Sequence, residues 1–283
     1  MKRRLGKLAW AGLMCGLLLG GNRVIAGQDA ARPNGDEGLP DALAGGEHFR
    51  LETELGPVHL WRPEDYDPRT AGTVVYVHGY FTSVDETWQA DRLAAQFEAS
   101  EQNALFIAPE APASKLEEVS WKSLQSLLRA VDNAGPFPVP SGPVVVVGHS
   151  GAFRTILCWL PDPRMQEIVL LDGLYNGQRE FRTWLRAASG ARSHHMVLVA
   201  SSTVRKSDRF ARRIPGTARR RSVPADFSYL TPRERNARLL YLRSQYDHSE
   251  MISSGRVIPF VLKYAAATAL PKKPLHSATV RGN

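Results

Sequence analysis

Cysteine is scarce in this chain: of 283 residues only Cys15 and Cys158 carry a thiol. Cys15 falls in a segment that reads as a removable leader, so no internal disulfide can staple the remaining chain. Cys158, in an apolar helical stretch, is expected as a packed core thiol and not as a nucleophile. A long hydrophobic run is missing too. The apolar stretch from Leu8 to Gly20 is shorter than the roughly 20 residues a spanning helix needs, which argues against a permanent anchor. There is no internal repeat, which excludes solenoid and propeller architectures. The adjacent His194 and His195 lack a further ligand at suitable spacing, so they are expected at the surface and no metal site is expected. The arginine-rich stretches come without a recognition motif or interleaved aromatics, so no nucleic-acid partner is expected.

Acid is absent from residues 1–27, while Lys2, Arg3, Arg4, Lys7 and Arg23 supply five positive charges there. Basic residues, then an apolar core, then small residues at Val24-Ile25-Ala26-Gly27 form a secretory signal pattern, with cleavage expected near Ala26 or Gly27 and a secreted or periplasmic product. Met14 before Cys15 argues against a lipoprotein site. Removing that segment lowers the formal net charge from +8 to about +3, so the basic character is mostly local. Between Arg205 and Arg243 twelve Lys or Arg face only Asp208, Asp226 and Glu234, including the run Arg219-Arg220-Arg221. That segment reads either as a solvated, mobile loop between two strands or as a contact for anionic surfaces such as lipid headgroups or acidic wall polymers.

Residues 28–46, rich in Gly, Ala, Pro and acid, read as a flexible leader; 47–268 read as one domain and 269–283 as a loose tail. Strands are expected near Phe49 to Leu55, Val58 to Trp61, Thr73 to Val77, Ala104 to Ala108, Val144 to Val147, Ile168 to Leu171, Met196 to Ala200 and Leu239 to Leu242. Helices are expected from about Glu86 to Glu98, Glu118 to Asn133 and Gln178 to Ser189, with a long apolar one after His248. Buried strands alternating with amphipathic helices imply an α/β fold: a mostly parallel sheet with helices on both faces. No large lid is evident.

The valine run Val144 to Val147 breaks into Gly148-His149-Ser150-Gly151-Ala152 and is followed at once by Phe153, Ile156, Leu157, Trp159 and Leu160. A buried strand turning sharply into a helix puts Ser150 at the apex, and the tight turn demands small residues at 148 and 152. This segment resembles the nucleophile elbow of the α/β-hydrolase family. Other parts stand in that family's order: His78-Gly79-Tyr80 after an early strand, Asp172-Gly173 at the end of another, and His248 late in the chain. The resemblance spans roughly residues 48 to 267, with Ala152 replacing the second glycine of the commonest motif.

The resemblance implies a secreted serine hydrolase, with Ser150 as nucleophile and His248 as general base, no cofactor, and an oxyanion hole from the amides of Gly151 and Tyr80. The acid is expected to be Asp172, which ends the strand after the elbow helix, with Asp208, nearer the family's commonest position, as the alternative; Asp247 is too close to His248 in sequence to reach its ring. His78 is expected to hydrogen-bond its loop and His149 to pack beside the elbow. Arg154, in the first turn of a helix, is opposed by the helix dipole. It either faces the site, binding a substrate carboxylate or bracing Glu110 or Asp172, or pairs at the surface. Ester hydrolysis is the leading activity, on a small-molecule or envelope-derived substrate; an amidase or peptidase acting on cell-envelope or peptide substrates and a noncatalytic binding module are the alternatives.

Overall fold

Runs of β-branched and aliphatic residues without polar alternation suit strands buried on both faces, and they form the centre of a mixed sheet. The computed structural model describes residues 45–187 and 194–268. The 1–27 signal, nearly all of the 28–46 leader and the 269–283 tail lie outside the described residues.

The strands are β1 (Glu47–Leu51), β2 (Val58–Arg62), β3 (Gly72–Val77), β4 (Ala104–Pro109), β5 (Val144–His149), β6 (Met165–Leu171), β7 (His195–Ala200), β8 (Ala218–Arg220) and β9 (Leu239–Arg243). They lie in the order β1-β2-β4-β3-β5-β6-β7-β9-β8. β1 and β2 pair antiparallel with each other and β2 antiparallel with β4; every other pairing is parallel. Register aligns Val77 with Gly148 and His149 with Leu171, so β3, β5 and β6 end at one level.

Each strand feeds two cores. Val144 and Val146 point to one face with helices α3 (Leu124–Ala134), α4 (Phe153–Trp159), α5 (Gln178–Ala187) and α6 (Val204–Ala211). Val145 and Val147 point to the other, against α1 (Val84–Ala90), α2 (Leu93–Ala99) and α9 (Val257–Thr268). All four valines are fully buried, each contributing roughly 1.5–3 kcal/mol relative to exposure. Two one-turn helices, α7 (Pro232–Arg235) and α8 (Glu250–Ser253), complete the set among the described residues.

Several expectations change. The helix expected over 86–98 is two helices, because Arg92 adopts a left-handed φ of 51° that ends one and starts the next. α3 begins only at Leu124: Trp121 turns inward and its carbonyl accepts from Trp159 Nε1 at 2.7 Å, holding the preceding residues out of the helix. Cys158 is exposed, since the α4 period buries Thr155, Ile156 and Trp159 and turns position 158 outward. His194 and His195 are half-buried and not surface residues. His195 opens β7, and His194 stacks on Trp184 with ring centroids 4.0 Å apart while its Nδ1 donates to the Trp184 carbonyl. The basic 205–243 segment is no loop: it holds α6, β8 and α7, and Arg220 in β8 is ion-paired to Glu234 at 2.7 Å.

Candidate active site

The valine strand β5 delivers Ser150 to the C-terminal edge of the sheet, where a single 3-10 turn, Ser150–Ala152, leads into α4. Ser150 sits at φ 50°, a left-handed conformation unusual for a residue with a side chain. The turn is closed so tightly that a Cβ on Gly148 would lie 2.5 Å from Ile156 Cδ1 and 3.0 Å from Ala152 Cβ. Small residues at 148 and 152 are therefore a packing requirement, as the sequence suggests.

Three chain-distant groups meet here. His248 Nε2 lies 3.0 Å from Ser150 Oγ, and His248 Nδ1 lies 2.7 Å from Asp172 Oδ2. Asp172 follows β6 at φ 45° and is fully buried. Its carboxylate also accepts from the amides of Ser201, Ser202 and Thr203 at 3.0, 2.9 and 2.8 Å and from Thr203 Oγ1 at 2.6 Å. Burial works to raise this carboxyl, but the hydrogen bonds from His248, Thr203 and Ser201 outweigh it and hold Asp172 well below the usual carboxylate range. An ionised Asp172 fixes the Nδ1–H tautomer of His248, which leaves Nε2 free to accept the Ser150 hydroxyl proton.

The other two acids weighed from sequence stand elsewhere. Asp208 lies in α6 and accepts from Arg243 at 2.7 Å. Asp247 Oδ1 accepts the amides of Ser249 and Glu250, each at 2.8 Å, and so shapes the turn that presents His248.

The loop after β3 forms the opposite wall. A Cβ on Gly151 would meet the Tyr80 ring at 2.5 Å, so glycine here lets that ring lie over the elbow. The Tyr80 amide has no hydrogen-bond partner among the described residues. His78 is buried and reaches the Gly79 carbonyl through Nδ1 at 2.7 Å and Glu110 Oε1 through Nε2 at 2.9 Å. Glu110 Oε2 takes the Val84 amide at 3.1 Å, linking this loop to the start of α1. Burial favours a raised Glu110 carboxyl, and the His78 and amide hydrogen bonds more than reverse it. His149 packs beside the elbow, its Nε2 donating to the His248 carbonyl at 3.0 Å. Burial first, then the neighbouring His248, lower it to about 4, so it stays neutral at physiological pH.

Arg154 faces the space over Ser150 but braces neither Glu110 nor Asp172. Its guanidinium donates to the carbonyls of Ser114 and Glu117 at 3.1 and 2.7 Å and to Tyr80 Oη at 3.2 Å. These acceptors offset the unfavourable helix end and fasten the loop after β4 to Tyr80. A cavity of about 830 Å³ opens over Ser150, bounded by Tyr80, Phe81, Phe153, Arg154, Tyr175 and Ile252 among others, with predominantly apolar walls. Tyr175 and Asp91 were not legible as site residues. Tyr175 follows Asp172 closely and leans its ring edge toward His248, centroids 6.4 Å apart. Asp91 has no local signal at all; it lines the cavity, and burial pushes its carboxyl up to about 6. No group of three or more His, Cys, Asp or Glu among the described residues could hold a metal ion.

No family model and no curated protein sequence matches the chain. Among solved structures, it is similar to a mutant of the feruloyl esterase module from Clostridium thermocellum complexed with sinapinate. The TM-score is 0.58 and the identity 12%, covering 87% of this chain and 96% of that one. A structure described as FAE superposes with TM-score 0.57 and 12% identity, over 84% of this chain and 93% of that one. The chain has the α/β-hydrolase fold.

Proposed function

We propose that this protein is a serine hydrolase that cleaves carboxylic esters through an acyl-enzyme on Ser150. The observation that carries the reading is the continuous hydrogen-bonded line from Asp172 through His248 to Ser150 Oγ, at 2.7 and 3.0 Å. His248 Nε2 accepts the hydroxyl proton as Ser150 Oγ attacks the ester carbonyl carbon. The carbonyl oxygen takes the electron pair and is held by the amides of Gly151 and Tyr80, each such donor worth on the order of 3 kcal/mol. Collapse of the intermediate expels the alcohol, which leaves with the proton from His248. Water then repeats the sequence on the acyl-enzyme, releasing the acid and restoring Ser150. Asp172 keeps the imidazole oriented and stabilises its cationic form.

The apolar cavity suits a sizeable acyl or alcohol group. Phe81, 92% exposed, lines the cavity and carries its apolar surface out to solvent. The likeness in fold to a feruloyl esterase module supports the ester reading. Assay of purified protein against 4-nitrophenyl esters of graded chain length and matched peptide anilides tests the reading. Esters are expected to be cleaved and anilides at least about a hundredfold more slowly; equal or faster anilide cleavage would make the enzyme an amidase, and cleavage of neither would leave a binding module. The reading includes export, tested by sequencing the N-terminus of the exported protein, which is expected near residue 27; an intact Met1 in the membrane fraction would contradict it.

A further inference from the structure

A second concavity lies beside the proposed catalytic cleft, with Tyr175 lining both. It measures about 300 Å³ and is walled by Arg182, Lys206, Arg209 and Arg213, with no acidic residue in its lining. Helical spacing explains the convergence. Lys206, Arg209 and Arg213 recur at intervals of three and four along and just past α6, so they share one side of it. Ser207, Phe210 and Ala211 occupy the buried side. Asp208, the acid of α6, is engaged by Arg243. Helix α5 lies on the same face of the sheet, its Phe181 and Leu185 in one core with Phe210 and Ala211. That packing brings Arg182 to the group, while Glu180 of α5 is paired with Arg179.

The guanidiniums of Arg182, Arg209 and Arg213 make no hydrogen bond or close salt bridge among the described residues, Arg182 acting on Glu180 only at longer range, and Lys206 Nζ donates to the Tyr175 carbonyl at 2.5 Å. Cations gathered in one recess repel each other and focus a positive potential there, and an anion removes that repulsion. Planar guanidinium forks match carboxylate and phosphate oxygens in pairs. The arginine run at 219–221 is a different case, since Arg220 is committed to Glu234 and to the Tyr229 carbonyl.

We propose that this recess is an anion subsite of the enzyme, which holds a carboxylate or phosphate carried by the same molecule as the ester, across Tyr175 from Ser150. The proposal rests on the ester-hydrolase reading above. The substrate class it selects is an ester on an acidic chain, an acylated polymer or oligomer bearing carboxylates or phosphates.

Binding is measured on the full chain carrying Ser150→Ala, with fluorescein-labelled oligogalacturonate as the carboxylate probe and labelled polyphosphate as the phosphate probe. At least one is expected to bind, more weakly as salt rises, and the tighter of the two identifies the group. Charged hydrogen bonds of about 1.5–3 kcal/mol predict a loss of roughly tenfold or more for each arginine replaced. R182Q/R209Q/R213Q is therefore expected to lose binding while keeping its melting temperature, and R219Q/R221Q to bind normally. With Ser150 restored, the preference in kcat/KM for acetylated oligogalacturonate over 4-nitrophenyl acetate is expected to collapse in the triple variant, chiefly through KM. Unchanged affinity in R182Q/R209Q/R213Q, equal loss in R219Q/R221Q, or no binding of either probe would overturn the subsite. Because binding is read in a protein that cannot turn over, absence of ester hydrolysis would remove the catalytic reading without touching the binding result.

Discussion

Two cavities at opposite ends of the same strands show what separates a hole from a site. One opens at the C-terminal ends of β5 and β6 over Ser150; the other, about 480 Å³, lies near their N-terminal ends between α3 and α4, with Cys158, Arg129, Asp132 and Arg164 in its wall. The second is the more polar-walled, yet three of its charged groups are already spent on local structure. Arg164 donates to the carbonyls of Pro140 and Gly142, Asp132 Oδ1 accepts the Val139 amide at 3.0 Å, and Asp162 Oδ1 accepts the Arg164 amide at 2.9 Å. Around the upper cavity the backbone does the reverse. Phe81, Ser150 and Asp172 hold left-handed φ angles of 66°, 50° and 45°, at about 1–3 kcal/mol each. Strain of that kind persists only where surrounding packing over-determines it, and here it aims a hydroxyl and a carboxylate at one imidazole.

The contrast can be broken most severely at Ser150. Ser150→Ala is expected to lower kcat for a 4-nitrophenyl ester by on the order of 10⁵–10⁶ with an unchanged fold, and retained turnover in a folded variant would abolish the distinction. Asp172→Asn is expected to cost on the order of 10⁴ in turnover. Asp208→Asn, an exposed pair worth about 0–1 kcal/mol, is expected to cost little; the reversed outcome would move the acid to α6. The same carboxylate governs acid stability. Asp172 is held below its unfolded value, so its contribution is full above pH of about 4 and is lost as pH falls further, which pH-dependent melting of the wild type and Asp172→Asn will separate.

Smaller effects sharpen the comparison. Arg154→Met releases the loop that carries Tyr80, and misplacing a donor is expected to reduce kcat/KM by about tenfold to a hundredfold, with KM for small esters little changed. Asp91 carries the opposite sign to Asp172. Its carboxyl is raised in the fold, so ionisation at neutral pH opposes folding. Asp91→Asn is expected to raise the melting temperature at pH 7, a gain that shrinks as pH falls through 6 and is gone near pH 4; a pH-independent gain would show that its charge is not what matters. The smallest effect belongs to the lower cavity, where Cys158→Ser is expected to leave turnover unchanged and stability within about 0.5 kcal/mol.

Much of the fold was legible because its signal is local. Fully buried parallel strands need unbroken aliphatic runs, and Val144 to Val147 with the glycines after it could hardly be anything other than a strand and a sharp turn. β8 carries no strand signal because its three residues, Ala218–Arg220, are mostly charged and pair only at the sheet edge with β9. The surface position of Cys158 depended on helix phase, and the half-burial of His194 on the Trp184 ring that covers it. At the candidate site, strand order favours Asp172 but does not exclude Asp208, since both follow a strand. The structure separates them by what each carboxylate accepts: four protein donors besides His248 for Asp172, an arginine for Asp208. The helix-start position of Arg154 shows an electrostatic conflict in the sequence, but its acceptors are two carbonyls some 40 residues away and the Tyr80 hydroxyl, which no local pattern announces.

Covalent mapping with a fluorophosphonate tests most directly whether Ser150 is the nucleophile. Native protein treated with the reagent, digested and analysed by mass spectrometry is expected to carry a single adduct on Ser150, absent after prior heat denaturation. An adduct on another residue, or unmodified Ser150 in protein that hydrolyses esters, would contradict the assignment.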